Sequence, residues 1–282
     1  MPRIHLVTYA TPRFRLRQLI LGASARVNGV VDTVTSWTPE MLLKAGFEQR
    51  CKGIKLSERG SGFWAWKPFV IDAKLLEIPD GDLVFYCDVG RLYPFKLLEQ
   101  SATPFVKWMN LRGQDMMPGV EIPWDGPNAL WTKREALVAT GMDHREVREA
   151  SPIQASFSLW KASQSSRAFV TRWLDWCSQR GLVSDDPSQR GLEELPGFRE
   201  HRHDQALLTL CCLKEGISAL NIGSARPEID TRHPCQVSRL LAGEVPAAQS
   251  VRGAVVRLIA WPMWQIEKRI RHLVKFGEPI NK

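Results

Sequence analysis

Short runs of β-forming hydrophobic residues alternate along the chain with segments whose apolar residues recur at helical spacing. Residues 4–9 are rich in β-formers, and residues 83–87 (LVFYC) form a continuous apolar run that is typical of a strand buried on both faces. Residues 153–161 (IQASFSLWK) alternate polar and apolar positions as a strand does. The repeated order of strand, loop and helix predicts an α/β fold in which helices flank a sheet.

Helices are predicted where amphipathic segments follow a capping residue and stop at a glycine. They cover residues 15–28, 39–45, 69–76, 133–140, 168–179 and 206–215. Thr38 caps the second helix, with Pro39 at its first position, and Ser163 or Ser165 caps the fifth. Further strands are predicted at residues 30–37, 124–131 and 218–222, and irregular connections at residues 94–122 and 182–196. The first connection is either a flap near the functional site or a plain link.

A glycine loop with two tryptophans opens the most distinctive stretch of the chain, residues 59–93. Lys67 precedes Pro68 at the predicted start of a helix, where the helix dipole is positive. A cation, a helix N-terminus and a flexible loop containing Gly60 together favour a phosphate-binding role. The alternative is that Trp66 and its neighbours belong to the core and that Lys67 is solvated.

Asp88 follows the buried strand of residues 83–87. The C-terminal ends of strands in open α/β sheets face the ligand, and a carboxylate placed there is costly unless it binds a metal, a cation or a hydroxyl. A turn or a helix cap is the alternative role. The loop after the first strand lies at the same edge, so Thr8 and Tyr9 are candidates to contact a base or ribose, although Tyr9 equally fits a core position.

A second polar cluster, residues 201–205 (HRHDQ), stands at the entrance of a predicted helix. Its histidines, Asp204 and Gln205 offer metal-binding and hydrogen-bonding groups, and the alternative for Asp204 is a capping role. Gln154 and Ser156 share one face of the strand predicted at 153–161. They either hydrogen-bond sugar hydroxyls or form an ordinary polar face of the sheet.

Composition adds a preference for anionic partners. The 38 Lys and Arg residues against 30 Asp and Glu give a net charge of +8 and a pI near 9.3. The basic residues are spread along the chain without a nucleic-acid-binding motif, so nucleic acid is not expected as a partner. The six cysteines lack paired spacing, and together with an N-terminus unlike a signal peptide they indicate a reduced, cytoplasmic protein.

The C-terminal segment has a character of its own. Residues 251–276 contain one acidic residue, six arginines and lysines, and two tryptophans among aliphatic residues. This pattern predicts a basic amphipathic extension over residues 246–282. It either binds an anionic membrane surface or packs on the preceding domain, with a kink at Pro262.

Three motifs together resemble a known family. They are RGSGFWAWKP at residues 59–68, YCDVG at 86–90 and HRHDQ at 201–205. In these motifs the sequence is similar to bacterial GT-A-type glycosyltransferases of polysaccharide and lipopolysaccharide (capsule or O-antigen) biosynthesis. The resemblance implies a GT-A-like, Rossmann-type mixed sheet at residues 1–245, with a nucleotide-sugar half over about 1–95 and an acceptor half over about 96–245.

The resemblance also implies roles for particular residues. Asp204 and Gln205 would be catalytic, with Asp204 as the base of an inverting enzyme, or with one of the two beneath the anomeric carbon of a retaining one. The nucleotide sugar would contact Thr8, Tyr9, Arg59, Gly60, Trp66, Lys67, Asp88 and Gly90, and Gln154 with Ser156 would contact the acceptor or sugar. The acceptor would be a glycan or a lipid-linked sugar, reached from the cytoplasm at the inner face of the membrane.

Position 90 departs from the family pattern. The usual D-x-D motif ends in a second aspartate, but this chain has Gly90 there. The family implies Mn²⁺ or Mg²⁺ on the diphosphate, and with one carboxylate missing, Asp88 and His203 would be the remaining ligands. The same departure suggests the alternative of a non-catalytic domain that binds nucleotides or glycans.

Overall fold

A computed structural model describes residues 2–27, 29–89, 102–223, 231–232 and 234–243. The strands are β1 (Ile4–Tyr9), β2 (Thr33–Trp37), β3 (Leu83–Cys87), β4 (Met116–Met117), β5 (Val120–Glu121), β6 (Ile153–Gln154) and β7 (Phe157–Lys161). The larger sheet has the order β2-β1-β3-β7-β4. In it β1 is parallel to β2 and β3, whereas β7 is antiparallel to β3 and β4. The protein is therefore a mixed α/β protein with a five-stranded sheet, compatible with a Rossmann-like fold.

Twelve helices are seen in the described part of the chain. They are α1 (Arg15–Val27), α2 (Pro39–Lys44), α3 (Phe47–Arg50), α4 (Gly60–Phe63), α5 (Trp66–Glu77), α6 (Thr103–Arg112), α7 (Arg134–Ala139), α8 (Arg145–Glu149), α9 (Gln164–Cys177), α10 (Arg180–Val183), α11 (His203–Glu215) and α12 (Pro234–Leu241). Short 3-10 helices occur at Pro12–Phe14, Pro123–Asp125 and Asn128–Leu130.

Hydrophobic side chains pack on both faces of the large sheet. On one face, Val84 and Tyr86 of β3 and Trp160 of β7 pack with residues of α5, α9 and α11. On the other, Phe85 of β3 and Phe157 of β7 pack with residues of α1, α6 and α12. Because β3 alternates its side chains between two apolar layers, all five of its residues are buried.

Several predicted elements are confirmed. The strands at 4–9 and 83–87 have the predicted bounds. The Thr38 hydroxyl accepts a hydrogen bond from Met41 N at 3.3 Å at the start of α2, and the Ser163 hydroxyl accepts one from Ser166 N at 3.2 Å at the start of α9. Local capping chemistry therefore identified both cap residues, although α9 begins at Gln164 and not at the predicted residue 168.

Other predictions are wrong or only partly confirmed. The strand predicted at 124–131 is replaced by two 3-10 helices, where Pro123 and Pro127 interrupt strand pairing. The strand predicted at 153–161 divides into β6, which pairs with β5 in a separate two-stranded sheet, and β7. The region expected to be irregular at 94–122 contains α6, β4 and β5, and the loop at 182–196 opens with the end of α10.

Residues 218–222 make a single bridge, Leu220 to Val120, rather than a strand. Every element named above lies within one compact unit, Met1–Ala242. The extension predicted at 246–282 and its role at membranes lie outside the described residues. Among the described helices, none is both long and apolar enough to cross a bilayer.

Candidate functional site

A cavity of about 250 Å³ lies where β3 ends. Helix α5 precedes β3 and packs on the sheet, so its first turn reaches the C-terminal edge of β3, and the start of β7 lies beside that edge because the two strands are antiparallel. The first turn of α11 closes the site. The lining residues are Arg59, Trp64, Lys67, Asp88, Ala155, Ser156, Glu200, His201, Arg202, His203, Asp204 and Gln205.

Lys67 is the buried cation of this cavity, only 4% exposed. Its Nζ donates to the Ala155 carbonyl at 2.9 Å and lies 3.1 Å from Asp204 Oδ2 and 3.6 Å from Asp88 Oδ1. Burial opposes the charged ammonium, but the two carboxylates outweigh it and raise the pKa of Lys67. The alternative of a solvated Lys67 is therefore wrong. Helix α5 also begins at Trp66, so Lys67 lies in its first turn and not before it.

Asp88 is held by Tyr86 of β3 and by Ser156, the residue just before β7. The Tyr86 hydroxyl donates a short hydrogen bond to Asp88 Oδ1, and the Asp88 backbone N–H donates to the Ser156 carbonyl at 2.8 Å. Burial, with the nearby charge of Asp88, raises the pKa of Tyr86 well above its usual value. Tyr86 therefore stays a neutral donor that fixes the carboxylate.

Asp204 lies in the first turn of α11 and is 4% exposed. Its backbone carbonyl accepts a hydrogen bond from Trp173 Nε1 at 2.9 Å, which ties α11 to α9. Burial raises the pKa of Asp204 to about 6, even though Lys67 pulls it down. Arg202, not Asp204, is the N-cap residue of this helix. A carboxylate with this pKa can accept a proton near neutral pH.

The two histidines of the HRHDQ motif differ in what their ring nitrogens contact. His201 Nδ1 accepts from the Lys133 N–H at 3.3 Å, and its Nε2 donates to the Leu182 carbonyl at 2.8 Å, so both nitrogens are occupied. His203 Nδ1 donates to the Val183 carbonyl at 2.8 Å, but its buried Nε2 has no hydrogen-bond partner among the described residues. His201 thus supports the wall of the cavity, whereas His203, which also lines it, has one ring nitrogen without a hydrogen-bond partner in this part of the protein.

Backbone strain concentrates beside this cavity. In the described residues, the non-glycine residues with positive φ are Ser61, Phe63, Trp64 and His203. Gly60 has φ +60, and a Cβ placed on it would lie 2.4 Å from the Trp64 ring. Such conformations cost of order 1–3 kcal/mol each and are typical of functional sites. The loop therefore needs Gly60 both for its backbone and for close packing.

Two arginines line the mouth of the cavity. Arg59 Nη1 lies 3.2 Å from Asp185 and Nη2 lies 3.3 Å from Glu200, and about half of the Arg59 side chain is exposed. Arg202 pairs with Asp125 at 2.6 Å and covers the Trp131 ring at 3.6 Å. These guanidinium groups, unlike the Lys67 ammonium, stand at the solvent side of the site.

The structure brings most of the predicted site residues together. Arg59, Lys67, Asp88, Ser156, His203, Asp204 and Gln205 all line the cavity. Thr8, Tyr9, Gly60, Trp66 and Gln154 are not among the lining residues. Gly90 lies outside the described residues.

The non-lining residues have partners elsewhere. Thr8 is fully buried and accepts a hydrogen bond from Gln18, and Tyr9 and Trp66 pack their rings against each other at 4.2 Å in the core. Gln154 accepts a hydrogen bond from Thr231 at 2.8 Å.

Sequence reasoning missed Tyr86, Asp185 and Glu200. Tyr86 had a signal, because residues two apart on a strand share a face and Asp88 was already a candidate. Asp185 and Glu200 stand in polar, turn-rich segments that have the composition of ordinary surface loops. Only the fold places them beside Arg59.

The described donor groups do not form a complete site for a divalent cation. No three His, Cys, Asp or Glu side chains in the described part of the chain come together as a metal-binding group. Asp88 Oδ1 already accepts from Tyr86 and faces an ammonium, and His203 Nε2 faces Asp185. The expected Mn²⁺ or Mg²⁺ therefore stays a prediction.

Compared with known proteins, the sequence matches no family model and has no significant match among curated proteins. The functional interpretation therefore depends on the site itself and on the motif resemblance.

Proposed function

We propose that this protein is a glycosyltransferase that moves a sugar from a nucleotide-sugar donor to a hydroxyl of a glycan or lipid-linked acceptor in the synthesis of cell-surface polysaccharide. The observation that carries the proposal is the triad of Lys67, Asp88 and Asp204 at the end of β3, in which Lys67 and Asp204 are buried and Asp88 is partly exposed. The three motifs that resemble GT-A-type enzymes converge on this cavity. The mixed sheet supports a GT-A-like arrangement. The cavity also lies at the C-terminal end of a strand, which is where open α/β sheets bind their ligands.

Asp204 acts as the base. In an inverting transfer, the acceptor oxygen forms a bond to the anomeric carbon while the bond from that carbon to the diphosphate oxygen breaks, and the leaving group keeps the bonding electrons. The proton of the acceptor hydroxyl passes to Asp204, whose pKa of about 6 lets it stay ionised at neutral pH and still accept a proton. Lys67 fixes the orientation of this carboxylate.

Arg59 balances the charge that develops on the leaving diphosphate. Its side chain is at the cavity mouth and is half exposed, whereas the Lys67 ammonium is directed at Ala155, Asp88 and Asp204. Diphosphate oxygens would take the place of Asp185 or Glu200 on the guanidinium. Arg59, rather than Lys67, is therefore assigned to the phosphate.

The acceptor chemistry suggests a location. A lipid-linked acceptor would place the enzyme at the inner face of the cytoplasmic membrane, with the basic segment 246–282 against anionic lipid. These assignments rest on the motif resemblance and on the charge pattern of the sequence.

The experiment is a donor panel with the Asp204→Asn variant. Wild-type protein is incubated with UDP-, GDP- and dTDP-sugars, and hydrolysis and transfer are measured. Asp204→Asn removes the base without changing side-chain size, so kcat is expected to fall by roughly 10²–10⁴-fold. The melting temperature is expected to fall, because the buried Lys67 ammonium loses the closer of its two carboxylate partners, so circular dichroism is used to show that the variant is folded.

Asp175→Asn is the matched control. Asp175 lies on α9, outside the cavity, and its half-exposed carboxylate pairs with Arg50. Loss of this carboxylate should therefore leave turnover unchanged. Full activity in Asp204→Asn would contradict the assignment of the base. Nucleotide binding without turnover of any donor would instead favour the non-catalytic alternative, which the glycine at position 90 motivates.

A further inference from the structure

Helix α1 exposes a row of apolar side chains on the face that points away from the sheet. Its inner face packs in the apolar layer on the sheet, where Leu21 is 1% exposed. On the outer face, Leu16, Leu19 and Val27 are 63%, 50% and 85% exposed, and Ala23 between them is also exposed. Their helical spacing places these four residues, here called the α1 stripe, on one side of the helix over about three turns.

Other exposed hydrophobic side chains in the described part of the chain are more scattered. Helices α5, α6 and α11 each expose one large hydrophobic residue, and α2 exposes two beside an acidic residue, Glu40. Single exposed hydrophobic residues are common on protein surfaces, whereas a contiguous apolar stripe indicates a surface that binds something. The α1 stripe therefore calls for an occupant.

Arginines border the α1 stripe on both sides. Arg15 and Arg26 lie about three turns apart, so helical spacing places both on one border. Arg13, in the 3-10 turn before α1, lies with Arg17 on the other border, and their guanidinium carbons are 5.5 and 5.8 Å from the centre of the Phe14 ring. An apolar row thus runs between two rows of positive charge.

This positive charge is not neutralised by nearby acidic residues. Residues 1–31 contain five arginines and no aspartate or glutamate. Arg26 donates to the Val34 carbonyl at 3.5 Å, and neither Arg13 nor Arg26 forms an ion pair with a described residue. The complementary surface is therefore one that is apolar in depth and carries anions at its boundary with water.

We propose that the α1 stripe docks this protein on an anionic phospholipid bilayer, with α1 lying in the plane of the membrane. The apolar side chains of an interfacial helix insert at the boundary between head groups and acyl chains, and arginines at its borders bind lipid phosphates. A nucleic acid would neutralise the arginines but leave the leucines in water. The apolar row and its charged borders together thus favour lipid.

The start of α1 lies at the same edge of the sheet as the cavity. Strands β1 and β3 are parallel neighbours, α1 follows β1, and the cavity lies where β3 ends. Arg15 and Gln18 also donate to the carbonyls of Ser36 and Trp37 at the end of β2, which fixes the start of α1 at this edge. The placement suits an acceptor held in a membrane. That link rests on the proposed function, whereas the docking surface does not.

Leu16→Gln and Leu76→Gln form a matched pair that tests the apolar contact. Leu16 is 63% and Leu76 67% exposed, but Leu76 lies on α5, which packs on the opposite face of the sheet. Partition of the intact chain onto vesicles of phosphatidylglycerol and phosphatidylethanolamine is measured by cosedimentation at sub-saturating lipid. Both variants retain residues 246–282, so any binding by that segment is common to them.

Leu16→Gln is expected to lower the partition coefficient about fivefold, because a polar amide replaces an inserted leucine. Leu76→Gln should leave it within about twofold of the wild type. Circular dichroism shows that both are folded. Equal partition of Leu16→Gln and the wild type would overturn the proposal.

Arg26→Gln and Arg145→Gln test the charged borders at equal net charge. Arg145 is an exposed arginine on α8 that pairs with Glu149. Arg26→Gln should lower partition onto the anionic vesicles about fivefold, the scale of one arginine at an anionic surface. Arg145→Gln should change it by less than about twofold. Equal losses in the two variants would show binding through net charge alone and would also overturn the proposal.

An environment-sensitive dye at position 23 reports the contact directly. Ala23→Cys is labelled in a Cys235→Ser background, because Cys235 is the one described cysteine that is not buried. Dye emission should shift to shorter wavelength when anionic vesicles are added, and the same dye on Leu76→Cys should not respond. Emission that is already shifted before lipid is added, or a wild-type dimer that Leu16→Gln dissociates, would place protein on the stripe and contradict the proposal.

The docking surface and the transferase fail separately. Without vesicles, Leu16→Gln should hydrolyse a soluble nucleotide sugar as the wild type does. Vesicle binding through the α1 stripe, in a protein that turns over no donor, would retain the docking surface and remove the transferase. Turnover without stripe-dependent vesicle binding would do the reverse.

Discussion

Two buried lysines, each at the start of a helix, show how differently the same side chain is used in this protein. Lys67 at the start of α5 is 4% exposed, and Lys133 before α7 is 3% exposed. The Lys67 ammonium faces the carboxylates of Asp88 and Asp204. The Lys133 ammonium instead donates to the backbone carbonyls of Ser184 at 3.0 Å and Asp186 at 3.4 Å.

Because their partners differ, the pKa values of the two lysines shift in opposite directions. Burial lowers the pKa of Lys133, and the more distant acidic groups do not compensate. For Lys67, the adjacent carboxylates do more than compensate. Lys133 is thus a structural clamp on the loop that carries Asp185, whereas Lys67 is a fixed charge within the reaction site. Burial by itself does not identify a functional lysine; its partners do.

The largest expected effect comes from removing each ammonium. Lys67→Met leaves two carboxylates without their buried cation, so we expect a loss of about 3–5 kcal/mol in the free energy of unfolding together with loss of turnover. Lys133→Met leaves two carbonyls with one donor fewer, at a cost of about 1–3 kcal/mol. Urea denaturation monitored by tryptophan fluorescence gives both free energies of unfolding. A greater loss for Lys133→Met than for Lys67→Met would contradict the prediction.

A smaller effect is expected from the glycines that shape the two regions. Gly60→Ala meets the Trp64 ring at 2.4 Å and strains a residue at φ +60, so we expect a cost of about 2–4 kcal/mol. Gly141, just after α7, has φ +73, but a Cβ added there would have no described atom within 4 Å. Gly141→Ala should therefore cost only about 1–2 kcal/mol. Thermal unfolding of both variants tests this order, which equal melting temperatures would contradict.

The smallest expected effect is a shift in pH dependence. The activity of the wild type should rise with pH through about 6, because Asp204 must lose its proton to act as the base. The charge of Asp88 raises the pKa of Asp204, so Asp88→Asn should move this acid limb to lower pH in the activity that remains.

Profiles of kcat/KM against pH measure the shift. Asp186→Asn, which removes a carboxylate beside the Lys133 clamp, is the control and should leave the acid limb in place. A shift of the acid limb to higher pH in Asp88→Asn would contradict a repulsive interaction between the carboxylates of Asp88 and Asp204.

Local sequence signals predicted the parts of the fold that local physics governs. The apolar run of β3 and the caps at Thr38 and Ser163 appear as expected, because strand burial and helix capping depend on neighbouring residues. The strand predicted at residues 124–131 is wrong, and the one predicted at 153–161 is confirmed only in part, because it divides into β6 and β7. The structure of these regions depends on prolines and on strand pairing with distant residues, which alternation alone does not reveal.

The sequence by itself determined that a cation, a carboxylate after a buried strand and an HRHDQ motif are present, together with the α/β class that places carboxylates at sheet edges. Only the tertiary structure decided that Lys67 binds Asp88 and Asp204, and that Asp185 faces His203. The reason is physical: the pKa of a side chain and the role of a nitrogen or oxygen atom depend on burial and on partners within a few ångströms. Those partners include residues that lie far away along the chain, which local sequence patterns do not identify.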